Sequence, residues 1–501
     1  MILSGAGLLV GRFFELPIEA YAQSEANLTI QVLNESTGES SSSNIVANIG
    51  DSIIVYGIIT PAPSPAYPSA NYCCDHCISI INPNNQTQLG TPIGLGANGL
   101  TIWGPVKIPS GVPSFGIQLE HIPSNTLSNV VSVTVSTSPA PIRDAYQIVS
   151  EGLAAGQTSI HLPTGNYSVS KRIVISRPNV EIYGDGQRAT VLRLNDSLLQ
   201  DVLSFERADF FHVHDLQLDG NRQNQIYTPP STRYAGPVVI NGIDAWNCSN
   251  GLIENCYIHD CRVFGISLGL CTNCQVLNNY VQNSDANGIT ISNKDGGEGC
   301  LVSGNVVDGA SDVGITGWDA MNYTVQNNTV KNIIMNSSPF DQNSHVGIMA
   351  EGPGNGTGCK NCIYSGNIIS NVLGAGMISA PASRQNDPKN QNQNILFDDN
   401  KISDCQSGIE LDHNVGFTAT NNVIDGIFDD TVGVIIVRDD CINVIIESNL
   451  IEGLPLFMKR AVVQLYSQTG AFENNTIYAN GNQALYVKYP TGWTSTPNTI
   501  S

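Results

Sequence analysis

Two carboxylates stand two residues apart at Glu410 and Asp412, with His413 beside them. On an extended strand this spacing puts both side chains on one face, roughly 6–7 Å apart at the backbone. Carboxyl groups paired in this way can do acid–base work on a glycosidic bond. Glu351 and Asp319 are supporting carboxylates, and Trp318 offers an indole that can stack on a sugar ring. Lys294 and Arg438 are cations able to neutralise a uronate. The same carboxylates also read as calcium ligands or as a solvated face, because calcium takes hard oxygen ligands. No loop spacing specifies a metal site, so calcium is the one cofactor expectation. His413 joins Trp318, Lys294 and Arg438 as a candidate substrate-binding residue, with a turn position as its default reading.

Something must hold these groups in line, and a repeat does so. A small-apolar pair recurs at Gly242-Ile243, Gly265-Ile266, Gly288-Ile289, Gly314-Ile315, Gly347-Ile348, Gly376-Met377, Gly408-Ile409 and Gly433-Val434. A second column of asparagines, Asn255, Asn279, Asn305, Asn328, Asn367, Asn400, Asn422, Asn449 and Asn475, drifts with it. Each unit holds short apolar-alternating segments and no helical period. One such coil cannot bury its inner face alone, but coils stacked at the ~4.8 Å strand spacing close a continuous core. The asparagines then form a structural ladder. The residue after each Gly-apolar pair points outward, giving a row from Asp244 and Trp246 through Ser267, Thr290, Ser292, Thr316, Trp318, Met349, Glu351, Ile378, Glu410 and Asp412 to Ile435 and Val437. Long steps between columns hold insertions placed to wall a groove above this row.

Upstream, Asp144 can cap a short helix with Ala145, Ile148, Val149 and Leu153 on one face and Gly156 as its stop. Residues 24–137 read as short strands between turn-rich loops: Asn27–Leu33, Ser52–Ile59, Cys77–Asn82, Leu100–Ile108, Ser114–Ile122 and Val130–Ser136. They predict an Ig-like β-sandwich, joined by a linker at 138–143 to the repeats of 144–501. Residues 1–23 read as a signal peptide or N-terminal tail, with Ala20-Tyr21-Ala22 as a small-x-small cleavage site. Export is expected, and the N-x-S/T sequons between Asn27 and Asn474 fit a secreted or cell-surface glycoprotein.

The chain of 501 residues carries a net charge of −21, which opposes nucleic acid as a partner. No apolar run approaches the ~20 residues of a membrane span. Charged residues are only 13%, which excludes a charge-laced coiled coil. The 13 cysteines are an odd number, and in an exported chain disulfides are the first expectation. Cys248 with Cys271, and Cys274 with Cys300, fall in the same columns of adjacent coils, where they either bridge the coils or simply fill the core.

The capping helix, Leu162-Pro-Thr-Gly-Asn-Tyr167, Tyr183-Gly-Asp-Gly186 and the repeats resemble right-handed parallel β-helix proteins of the pectate-lyase-like superfamily over about 70% of the chain. The resemblance implies an all-β solenoid of roughly ten to twelve coils. Leu216-Gln-Leu-Asp219-Gly-Asn-Arg222 is similar to a stretch of mannuronan C5-epimerase catalytic modules. Those modules carry Asp-Pro-His on the outward strand two coils later, where this chain reads Gly265-Ile-Ser-Leu-Gly269. The expectation is a polysaccharide-active enzyme, a lyase or glycoside hydrolase before an epimerase. Its partner would be a polysaccharide or cell-surface glycan. The alternative is a non-catalytic adhesion or glycan-binding stalk.

Overall fold

The computed structural model describes residues 143–225, 240–292, 297–334, 345–352, 358–381, 391–438 and 440–501, and in the N-terminal part the backbone of the strands. The chain divides into two compact units, Met1–Ala140 and Pro141–Ser501. In the first, strands Asn27–Asn34, Ser52–Thr60 and Leu100–Lys107 join one antiparallel sheet. Strands Cys77–Asn82, Phe115–His121 and Val131–Ser136 join another, which Asn44–Asn48 extends in parallel. The expected strands are there within a residue or two. How the two sheets face each other, and hence the Ig-like assignment, lies outside the described residues.

The second unit is a parallel β-helix. Helix α1, Ala145–Ala154, is capped by Asp144, whose carboxylate accepts from Tyr146 N, and it ends at Gly156 with φ +83°. It covers the open end of the first coil against Gly165–Val169. Each coil then passes three faces in turn. The first face is a 14-stranded sheet running from Ser159–Leu162 to Trp493–Ser495. Thirteen of its strands stack in sequence, just above the roughly ten to twelve coils that the resemblance implies. The second and third faces together make a 24-stranded sheet. Asp185 staples the first two coils. It accepts from Thr164 N at 2.6 Å, Thr164 Oγ1 at 2.9 Å and His161 Nε2 at 2.7 Å. This explains the pairing of the Pro-Thr-Gly and Gly-Asp-Gly stretches.

Inward residues of the third face, such as Ile243, Ile266, Ile289, Ile315, Ile348, Met377 and Ile409, are fully buried. The glycine before each one marks a close approach of coils. A Cβ at Gly288 would lie 2.7 Å from Gly314 O and 2.4 Å from Val307 Cγ1. Above the aliphatic stretch the core changes to aromatics. Tyr323, Tyr364, Phe397 and Phe417 meet edge to face with centroids 5.5, 5.1 and 4.9 Å apart.

The asparagine ladder turns the chain from first face to second. Each backbone N–H from Asn279 to Asn475 donates to the Oδ1 of the next asparagine at 2.9–3.0 Å. Asn255 is not a rung. It sits one residue earlier, in a left-handed turn position (φ +50°), and Cys256 takes the ladder place, donating its N–H to Asn279 Oδ1. The ladder instead gains Asn498 at its C-terminal end.

Two further expectations are corrected. The ten described cysteines are buried thiols, none of them in a disulfide. The thiols of Cys248, Cys271, Cys274 and Cys300 lie against backbone carbonyls of neighbouring coils, and those of Cys248 and Cys271 also meet each other without a disulfide. Burial pushes the thiols of Cys256, Cys405 and Cys441 up to about 12, as fits core filling. In the coil of Gly433, Ile435 pairs with Ile409 and Ile436 with Glu410. Ile435 and Val437 therefore fill the core, and Ile436 takes the outward place.

Candidate functional site

The third face presents its outward side chains in two columns. One runs Asp244, Ser267, Thr290, Thr316, Met349, Ile378, Glu410, Ile436. The other runs Trp246, Gly269, Ser292, Trp318, Glu351, Ala380 through the same pairings. Asp412 continues this second column, because Leu411 pairs with Ser379 and Asp412 N donates to Ser379 O at 2.9 Å. Arg438 follows, its N–H on Leu411 O. Parallel stacking thus places Trp318, Glu351, Ala380, Asp412 and Arg438 in consecutive coils. Insertions enter these strands at 226–239 and 335–344 and leave them at 293–296, 353–357 and 382–390, all outside the described residues. Lys294 falls there, as does Asp439.

Glu351 is the perturbed group of the middle coils. Burial, with the nearby charge of Asp312 adding to it, pushes its carboxyl up to about 7. Asp319 does not join this column. It is the corner residue leaving the third face, buried and left-handed (φ +54°), and its N–H donates to Glu351 O at 2.9 Å. It positions the backbone of Glu351.

Glu410, Asp412, His413 and Arg438 come together. Arg438 Nη2 lies 3.1 Å from Glu410 Oε2, and its Nε lies 3.7 Å from Asp412 Oδ2. Ser407 Oγ donates to the other oxygen of Glu410 at 2.7 Å. His413 Nδ1 donates to Asp412 Oδ1 at 2.7 Å, and its Nε2 stands 3.1 Å from Asp440 Oδ2 without hydrogen-bond alignment. His413 is also a left-handed corner residue (φ +53°). Both oxygens of Glu410 are thereby engaged, and Asp412 is oriented from two sides.

A second carboxyl group at the N-terminal end of the third face was not singled out from sequence. Asp201 Oδ1 accepts from Asn241 N at 2.8 Å, and Asn241 Nδ2 donates to Asp244 Oδ1 at 3.3 Å. Burial, then the charge of Asp244, pushes Asp201 up to about 7 against the opposing pull of Arg172. Asp244 is raised as well, mainly by burial. Extending the repeat one coil upstream, with Leu203 opposite Ile243, was the signal available. That coil lacks the Gly-apolar pair.

These raised groups bear on stability. Glu351 and Asp201 bind a proton more tightly folded than unfolded, so the folded state holds more protons between their ordinary values near 4 and about 7. Their contribution to stability should be fully present below that window, fall as pH rises to about 7, and then level. Melting temperature against pH checks this, and Glu351→Gln should flatten the fall. A slope that rises with pH across the window would contradict it.

The Asp219-Gly-Asn-Arg222 stretch is a clasp between coils. Asp219 pairs with Arg193 at 2.9 Å and Asn221 N donates back to Asp219 at 2.7 Å. Arg222 reaches buried Asp285 at 2.9 Å, which Arg262 also holds. Three clusters among the described residues gather potential metal ligands: Glu181, His212 and His214; Asp219, His259 and Asp260; Asp412, His413 and Asp440. Each contains histidine, a softer donor set than calcium prefers. Among the described residues no helix is long and apolar enough to cross a membrane.

A family model described as right handed beta helix region matches residues 220–330. Mannuronan C5-epimerases AlgE2 and AlgE5 of Azotobacter vinelandii are each 35% identical over 102 residues, 18% of this chain and 10% of theirs. The match thus spans about a tenth of those relatives. Among solved structures, the A-module of mannuronan C-5 epimerase AlgE6 from the same organism superposes with a TM-score of 0.59 at 18% identity, covering 72% of this chain and 96% of that one. The bacteriophage phi29 gene product 12 N-terminal fragment gives 0.51 at 14% identity, covering 72% and 69%. DFA-IIIase from Arthrobacter chlorophenolicus A6 gives 0.50 at 11%, covering 73% and 96%. The fold is a right-handed parallel β-helix.

Proposed function

We propose that this protein hydrolyses a polysaccharide laid along the third face, with Glu351 as general acid and Asp412 as general base. The column order Trp318, Glu351, Ala380, Asp412, Arg438 carries the reading. Glu351 and Asp412 are two coils apart, about 9–10 Å at the backbone for the usual strand spacing. Inverting glycosidases hold their two carboxyl groups roughly 6.5–9.5 Å apart, retaining ones only ~5 Å. The small side chain of Ala380 leaves room between them for the scissile bond and a water. A carboxyl group titrating at about 7 is protonated often enough at neutral pH to donate to a leaving oxygen. Trp318, one coil away, offers a stacking surface to the adjoining sugar.

Neighbours named as mannuronan epimerases support a carbohydrate substrate class. The clasp formed by Asp219–Arg222 and the Ile-Ser-Leu strand at Ile266–Gly269 argue against epimerase chemistry here. With a net charge of −21, a neutral glycan fits better than a uronan. We extend the proposal to an exported protein working on extracellular glycan.

The test is incubation with a panel of neutral and uronic-acid polysaccharides, reading reducing ends and ultraviolet-absorbing unsaturated ends. New reducing ends without unsaturation are expected. Unsaturated ends would replace hydrolysis by a lyase mechanism. Silence in both channels across the panel would end the hydrolase reading and leave an epimerase or a glycan-binding stalk.

A further inference from the structure

The first face carries a cluster that polysaccharide hydrolysis does not use. His212 and His214 alternate on the strand His212–His214, so both rings point outward. Glu181 stands opposite His212 in the preceding coil. Its Oε1 lies 3.7 Å from His212 Nδ1 and 3.4 Å from His214 Nε2. The remaining nitrogen of each ring is held from behind by a carboxylate. His212 Nε2 is 2.9 Å from Glu254 Oε1, and His214 Nδ1 is 2.8 Å from Asp215 Oδ2. Ser159 Oγ donates to Glu181 Oε2 at 2.6 Å, leaving Oε1 facing the rings. Tyr183 stacks on His214 with centroids 5.2 Å apart and limits the ring's rotation.

We propose that Glu181, His212 and His214 bind a divalent transition cation of the zinc class. The three donor atoms lie within 4.8 Å of one another, and a cation placed between them would draw them in to ligand distance. Two imidazole nitrogens and one carboxylate oxygen are a donor set that zinc accepts, with solvent completing the coordination. Calcium prefers six to eight oxygens and would be a poor fit. Carboxylates on the far nitrogens are the arrangement that orients metal-bound histidines and raises their basicity. The other two clusters each hold a single histidine: His259 between Gln217 and Asp260, and His413 between Asp412 and Asp440. In neither do two imidazoles converge. Bound metal would tie adjacent coils near the capped end, on a different face from the carboxylate column, so the site stands or falls independently of the proposed hydrolysis.

The experiment is calorimetric titration of the chelator-treated full chain with zinc chloride, and a parallel titration with cobalt(II) read by visible absorption. Saturable zinc binding and a cobalt spectrum with nitrogen ligands are expected, with calcium in excess failing to compete. His212→Ala/His214→Ala should abolish both signals. Glu254→Gln and Asp215→Asn, which touch no metal, should each weaken binding about 10- to 100-fold, while Asp440→Asn changes nothing. Metal-free melting curves report whether each variant folds. If the double variant does not, the two carboxylate variants decide. Unchanged zinc binding in the variants that fold, or no saturable binding at micromolar zinc, would overturn the proposal.

Discussion

Glu351→Gln should lower kcat on the polysaccharide that the panel identifies by roughly 100- to 10,000-fold, the usual contribution of a positioned general acid. The substitution keeps shape and removes only the dissociable proton, so the melting temperature should hold or rise at pH 8. The direction of the shift also sets the pH profile. An acid pushed up to about 7 is active while protonated, so wild-type kcat should fall as pH rises through about 7. That limb should be missing from whatever activity Glu351→Gln retains. Asp412→Asn should cost a similar factor. Glu410→Gln should cost much less, because Arg438 and Ser407 already occupy both oxygens of Glu410. A Glu351→Gln enzyme within twofold of wild type would end the proposed mechanism. A loss confined to Glu410→Gln would move the acid one column over.

The largest stability effect should come from the interior of the asparagine ladder. Asn367 is fully buried. Its Oδ1 accepts from Asn328 N and Asn328 Nδ2, both at 3.0 Å, and its Nδ2 donates to Val325 O at 3.0 Å and Asn400 Oδ1 at 2.9 Å. Asn367→Ala takes the partner from Asn328 N–H and from one N–H of the Asn328 amide, whose other N–H stays on Val302 O, and removes a donor from Val325 O, at about 1–3 kcal/mol for each buried group left short. The expected loss is at least about 3 kcal/mol, a large share of the margin of most folded proteins. Asn367→Asp should be no better, because it turns an oxygen toward Val325 O. Asn498→Ala at the open end should cost far less, since it supports one rung and is partly solvated. Urea midpoints for the three variants test this ordering, and equal midpoints for Asn367→Ala and Asn498→Ala would refute it.

Much of the architecture was legible because it is periodic. The glycines recur where stacked coils approach too closely for a Cβ, and the asparagines recur where a corner needs a side chain that is both donor and acceptor. Each requirement repeats with every coil, so it prints a column in the sequence. Reading went astray where a column had a neighbour of the same chemistry. Asn255 belongs to the left-handed turn position beside the ladder, a place that asparagine also fills well. In the last stretch Val434 replaced the expected glycine, and the outward residue moved to Ile436. Cysteines in neighbouring coils are near enough to suggest bridges, and the structure packs them as thiols on backbone carbonyls.

The candidate site divides in the same way. Strand alternation alone put Trp318, Glu351 and Glu410 on the outward side, and the short step to Asp412 and His413 was local. What those groups can do was settled by residues from other coils. Glu351 becomes an acid near neutrality through its burial and Asp312, which lies 39 positions earlier. Glu410 is taken up by Arg438, one coil on. His212 and His214 were not singled out from sequence, and only Glu181 and Glu254, closing on them from the coils before and after, make them a cluster. Alternation and corner chemistry are short-range properties, so the amino-acid sequence determined the solenoid and which residues face outward. Desolvation and charge pairing depend on distances across coils, so only the tertiary structure decided which outward residues could be acid, ion-pair partner or metal ligand.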